Sequence, residues 1–258
     1  MSALSDLLPS EAVRLDVFAA DWKEALRDAG ELLVATGTTT APYTAEMIRN
    51  VEENGPYLVI APGFALAHAR PSPSVRRTGM SWLRLAEPVE FGHETNDPVR
   101  LVVALAAVDS AAHTAAMAGL ARLLADPDTS RALHEASTPS ALHAVLAGQG
   151  EVRTPARDAP AGPAVHKILT VCGNGVGTSL FLKNTLEQVL ERWNWSRHVH
   201  VEATDTLSAK GKAAGAVALL TSREIARTLG DVGVPVKVVE DFTSTTEVDA
   251  VLRDTYDV

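Results

Sequence analysis

The sequence predicts an α/β protein built in two parts, and three observations predict it. Up to about residue 147, short apolar runs of strand length are interspersed with longer runs whose apolar residues recur at helical spacing. After residue 164, strand-like and helix-like runs alternate one by one, which implies a small parallel sheet with helices on both faces. Between them, the segment from Gly148 is dominated by Pro, Gly, Ala and charge and has no periodicity. The expected organisation is therefore a domain over 1–147, a linker over 148–164 and a second domain over 165–258. Fifteen extended residues, Gly148 to Gly162, would reach about 45 Å.

In the first part, Ala12 to Ala19 alternates apolar and polar and reads as a short strand. Asp21 is a plausible N-cap for a helix running to Leu33, and Tyr43 to Glu53 reads as a second helix. Tyr57 to Ile60 is a compact buried strand closed by Ala61-Pro62-Gly63. Phe64 to Pro71 is a short extended piece. Thr78 to Leu85 and Val99 to Val108 are further strands, the second nearly all apolar and so central to a sheet, with a polar connection over Glu87 to Asp97. Ser110 is expected to cap a helix over Ala111 to Ala125, which puts His113 in its first turn. Thr129 to Ala136 and Pro139 to Ala147 complete this part as helices.

In the second part the expected strands are Lys167 to Val171, His198 to Ala203, an apolar piece at Ala216 to Leu220, and Val234 to Val239. The expected helices are Leu180 to Trp193, Ser222 to Leu229 and Thr246 to Tyr256. The ligand site of such a sheet belongs at the carboxyl end of its first strand. There the sequence reads Val171-Cys172-Gly173-Asn174-Gly175-Val176-Gly177-Thr178-Ser179 and holds the only cysteine of the chain. Three glycines at alternate positions let successive N–H groups point into one concavity, and the following helix adds its positive end. Such a turn holds a phosphate and lowers the pKa of a thiol set in it. The alternative is an inert buried cysteine beside an ordinary turn. Small tyrosine phosphatases carry Cys-x5-Arg followed by Ser or Thr, and here Thr178 stands in the arginine position. A loop without that guanidinium is poorly equipped to hydrolyse a thiophosphate and suits a relay.

His68, flanked by alanines in Phe64 to Pro71, has two readings from the residues alone. It is either a satisfied structural histidine or a phosphoryl acceptor, with one nitrogen free, the other held by a hydrogen bond, and Arg70 on the same face of an extended segment. His113 at a helix N-terminus is disfavoured as imidazolium; it is either a hydrogen-bonding partner for a ring or phosphate, or a solvated first-turn residue.

A net charge of −9 argues against general nucleic-acid binding. One cysteine permits no internal disulfide, as expected in a reducing cytoplasm. No run is apolar enough to span a bilayer, Met1 to Ala12 lacks signal-peptide character, and no metal motif is present; His198 with His200, and His134 with His143, read as surface pairs. Asp205 to Ser208, after the second strand of the smaller sheet, is expected near the cysteine loop.

Both halves resemble one family. The segment KILTVCGNGVGTSLFLKN resembles the head of a IIB component of the bacterial sugar phosphotransferase system, ascorbate type. The segment GPYLVIAPGFALAHARP resembles the matching IIA component of the mannitol/fructose superfamily. The resemblance implies a mixed-sheet IIA-like domain and a parallel-sheet IIB domain with a cysteine-containing phosphate loop, Gly173 to Ser179. It implies a phosphoryl relay from a phosphohistidine carrier protein to His68, then to Cys172, then to a sugar, L-ascorbate or a related compound, held by a separate membrane IIC subunit. His113 and Arg70 would assist at the first centre, and no cofactor or metal would be needed. The protein would be cytoplasmic and reach the membrane through IIC. Where the family usually has proline before the histidine, this chain has Ala67, which loosens the backbone there. Two alternatives are a phosphorylation-state-dependent regulatory module and a thiol phosphatase or redox protein; Thr178 and the lack of a second cysteine disfavour the latter. The sequence leaves open whether phosphate moves within one chain or between chains of a homo-oligomer.

Overall fold

A computed structural model describes residues 4–148, 166–173 and 177–257. It divides into two compact units, Met1–Gly148 and Gln149–Val258. The expected linker, apart from Gly148, and loop residues Asn174, Gly175 and Val176 lie outside the described residues.

The first unit runs α1 (Leu4–Leu7), β1 (Val13–Val17), α2 (Trp22–Ala35), α3 (Ala41–Asn54), β2 (Val59–Ala61), β3 (Phe64–His68), β4 (Gly79–Val89), β5 (Val99–Ala106), α4 (Ser110–Ala125), α5 (Pro127–Glu135) and α6 (Pro139–Gly148). Its five strands form one mixed sheet in the order β1-β4-β5-β3-β2. β3 runs parallel to β5, and β4 runs antiparallel to β5. β5, apolar except for the exposed Arg100, is the middle strand, as its composition requires. β4 continues to Val89, so the polar stretch from Glu87 begins inside a strand; its last residues rejoin β5 at Val89 opposite Val99 after an irregularity in the register.

Strand alternation sorts the residues of β3. Ala65 and Ala67, with Ala69 just past the strand, turn to the core formed with α2 and α3, among Leu26, Leu33, Tyr43 and Met47. Phe64, Leu66 and His68 therefore turn to the opposite face. The α2–α3 crossing is tight: a Cβ on Gly30 would lie 2.2 Å from Thr44 Oγ1 and 2.8 Å from Thr44 Cβ.

The second unit runs β6 (His166–Cys172), α7 (Ser179–Arg192), β7 (Val199–Asp205), α8 (Thr206–Lys212), β8 (Ala218–Thr221), α9 (Arg223–Leu229), β9 (Val236–Val238) and α10 (Thr245–Tyr256). All strand pairs are parallel, in the order β7-β6-β8-β9. Leu169, Val171 and Leu219 pack under Ala209 and Ala213 of the α8 segment and Ile225 and Leu229 of α9. On the other face, Thr170 donates through Oγ1 to the Ser179 carbonyl at the start of α7. Helix α8 is an addition to the sequence reading. Seven residues are too few to show periodicity, although Asp205 caps it by accepting from Ser208 N–H at 2.7 Å. No described helix is long and apolar enough to cross a membrane.

Candidate functional site

His68 is the last residue of β3 and is 5% exposed. Its Nδ1 lies 3.1 Å from the Leu66 carbonyl oxygen. A carbonyl only accepts, so the proton sits on Nδ1 and the lone pair on Nε2. That is the tautomer a phosphoryl acceptor needs. Burial, and secondly the neighbouring His113, push the His68 pKa down to about 4. At neutral pH the imidazole is uncharged and its nucleophilic nitrogen is not blocked by a proton.

His113 comes to this ring from α4, with ring centroids 5.4 Å apart and planes tilted by 48°. The cap of α4 is Asp109, not Ser110. Asp109 has an extended backbone and its carboxylate accepts from Ala112 N–H at 2.7 Å, which leaves Ser110 as the first helical residue. His113 remains in the first turn, its own N–H donating to the Asp109 carbonyl. Burial lowers its pKa, and its Nδ1 is buried with no hydrogen-bond partner among the described residues. Two neutral histidines thus face one another. Tyr57 stands edge-on to His68 at 6.3 Å, and Arg70 is exposed two residues beyond β3.

Sequence reasoning missed Tyr43. Its ring is fully buried, and its hydroxyl accepts from Ala69 N–H at 3.0 Å and lies 2.7 Å from the Leu105 carbonyl. Burial pushes the phenol above its ordinary pKa, so it stays a donor. A tyrosine in a helix read from periodicity alone is one more core residue; only the fold brings it to the end of β3.

In the second unit Cys172 is the last residue of β6 and not a turn residue. It is 4% exposed, with Sγ 3.3 Å from Ser179 Oγ and 3.9 Å from the Thr204 carbonyl. The expected lowering of the thiol pKa is not found. Burial pushes it up, only partly offset by hydrogen bonds from Ser179 and Thr178, and the Asp205 charge adds to the rise. The physical reason is position: a residue at the end of a strand, on the face covered by α7, loses water before it gains donors. Thr178 is the N-cap residue of α7 and Ser179 its first residue. The Gly173 carbonyl accepts from Thr206 Oγ1 at 3.0 Å, while the Gly177 and Thr178 carbonyls accept from Leu180 and Phe181 N–H. Asp205 stands in register opposite Cys172, so the stretch from Asp205 does lie beside the cysteine, as expected. His200 is exposed on β7 and His198 just precedes that strand, while His134 and His143 are half-buried and not plain surface.

Residues 6–148 match the family model described as phosphoenolpyruvate-dependent sugar phosphotransferase system, EIIA 2. The chain belongs to this family. Residues 167–254 match a second model, PTS system, lactose/cellobiose specific IIB subunit. The protein therefore joins a IIA and a IIB unit of the phosphotransferase system, and its activity is phosphoryl transfer in sugar uptake. Among curated relatives, the ascorbate-specific PTS system EIIA component of Salmonella choleraesuis is 41% identical over 113 residues, covering 44% of this chain and 73% of the relative. The component of the same name from Escherichia coli K12 is 40% identical over 113 residues, with the same coverage. Among solved structures, the mannitol-specific cryptic phosphotransferase enzyme IIA of Escherichia coli is 30% identical with a TM-score of 0.52, covering 57% of this chain and 99% of that one. The mixed sheet expected for a IIA unit and the parallel sheet expected for a IIB unit are both present.

Proposed function

We propose that His68 and Cys172 are the two phosphoryl carriers of this IIA–IIB protein, used in that order. The observation that carries the reading is the hydrogen bond from His68 Nδ1 to the Leu66 carbonyl, which leaves Nε2 as the nucleophile. Nε2 attacks the phosphorus of a phosphohistidine on the carrier protein; the new N–P bond forms as the old one breaks, and its electron pair returns to the donor imidazole. In the second step the Cys172 sulfur forms an S–P bond as the His68 N–P bond breaks, and the thiol proton goes to solvent. Neither step needs a strong base; both need alignment and charge stabilisation. His113 and Arg70 are assigned to the phosphoryl group on His68, and Gly173 to Ser179 to that on Cys172. Domains 1–147 and 165–258 act as the two carriers, joined by the linker 148–164. The final acceptor is a sugar held by a membrane IIC subunit, which brings the protein to the cytoplasmic face of the membrane. The names of the curated relatives favour L-ascorbate. The regulatory alternative draws no support from the relatives described above.

The test uses the full chain and a charged phosphohistidine carrier protein. Cys172→Ser keeps acid-labile histidine phosphate and loses the thiophosphate. His68→Ala blocks labelling at both residues. Label on Cys172 in the His68→Ala chain, with no other IIA protein present, would overturn the order of transfer.

A further inference from the structure

Leu105 of β5 is the residue that stands opposite His68 of β3 in the parallel pair. In a parallel ladder, the N–H following one member of a pair can bond to the carbonyl of its partner, so the next rung would join Ala69 N–H to the Leu105 carbonyl. That rung is occupied by an oxygen from another element. Tyr43 Oη accepts from Ala69 N–H at 3.0 Å and lies 2.7 Å from the Leu105 carbonyl and 3.1 Å from the Ala69 carbonyl. With a single proton, it donates to the nearer oxygen, that of Leu105.

We propose that Tyr43 is a positioning residue for His68: its hydroxyl is wedged into the β3–β5 ladder one rung past the histidine and fixes where the imidazole leaves the sheet. The proposal deepens the reading of His68 as phosphoryl acceptor and rests on it. A buried phenol could be satisfied by any backbone carbonyl in the core. Here its polar partners are the two strand ends that flank His68. β3 stops at His68, Ala69 stays buried, and Arg70 reaches solvent, so the wedge lies where the chain departs from the sheet. Without the oxygen, Ala69 N–H and the Leu105 carbonyl either stay buried and unpaired or close on each other. Closing draws the end of β3 toward β5 and moves the nucleophile.

The test is Tyr43→Phe in the full chain, charged by the phosphohistidine carrier protein well below the melting temperature. A displacement on the order of 1 Å lowers the maximal rate of His68 phosphorylation about 100-fold. The carrier concentration at half-maximal rate stays unchanged, because no docking surface is altered. The His68 titration measured by NMR moves, since the ring no longer sits in the same pocket. p-Aminophenylalanine at position 43 presents an N–H and a lone pair in the same place and restores most of the rate. An unchanged rate in Tyr43→Phe overturns the proposal, as does a loss that p-aminophenylalanine does not recover. Should the phenylalanine chain not fold, a folded p-aminophenylalanine chain at full rate supports the wedge, and a folded but slow one overturns it. His68→Ala separates the two claims: label retained there sinks the acceptor reading, whereas label lost there with Tyr43→Phe at full rate sinks only the wedge.

Discussion

Acidification should destabilise the first unit through His68. The folded imidazole titrates near pH 4, against about 6.5 in the unfolded chain. Between those values the unfolded chain holds a proton that the folded chain does not, so stability rises with pH across that window. The contribution is fully present above pH 6.5 and is lost as pH falls through the window toward 4. A difference of about 2.5 units corresponds to roughly 3 kcal/mol in total, of which about 2 kcal/mol is gone by pH 5. His113, lowered by burial, acts in the same direction. The perturbation is His68→Gln, which removes one ionisation and keeps a polar side chain. Urea unfolding is followed at pH 8 and pH 5 by the indole NMR signal of Trp82, which is buried in β4. The wild-type chain should lose about 2 kcal/mol more than the variant between the two pH values. Equal losses in the two chains, or a His68 ring titration at or above 6.5, would refute the reasoning and with it the claim that burial keeps the acceptor neutral.

Two further outcomes follow from the packing. Alkylation of Cys172 by iodoacetamide should be slow at neutral pH and should keep accelerating through the ordinary thiol range, because burial raises this thiol; Ser179→Ala should slow it further by removing a donor to the thiolate. A plateau reached below the ordinary thiol range would contradict this. Gly30→Ala should destabilise the first unit by roughly 1–2 kcal/mol: overpacking against Thr44 outweighs the gain in helix propensity. Differential scanning calorimetry would register this as a lower melting temperature, and an unchanged or higher one would show that α2 and α3 separate freely.

Much of the fold was legible because its signals are local. Asp21 caps α2 by accepting from Glu24 N–H three residues on, and the apolar run of β5 occupies the middle of its sheet. Alternation in the second half led directly to the all-parallel sheet, with Cys172 at the carboxyl end of its first strand. The structure departs from the sequence reading where local signals compete or are lacking. Asp109 and Ser110 can both cap a helix, and only backbone geometry chose the aspartate. α8 is absent from the sequence reading because seven residues, about two turns of helix, leave no periodic trace. Loop composition predicts a lowered Cys172 pKa where burial raises it, because composition speaks of donors and says nothing of water lost beneath α7.

By itself the sequence offered two candidates with chemistry that could carry phosphate: an imidazole between alanines and one thiol ahead of alternate glycines. Those are properties of side chains and near neighbours, and a linear string records them. Only the tertiary structure decided which nitrogen of His68 is free, that His113 stands 5.4 Å from it although 45 positions away in sequence, and that Tyr43 occupies a rung of the ladder beside it. Each of these is a contact between elements remote along the chain. Such contacts are fixed by which faces of the sheet are buried, and burial is a property of the packed whole.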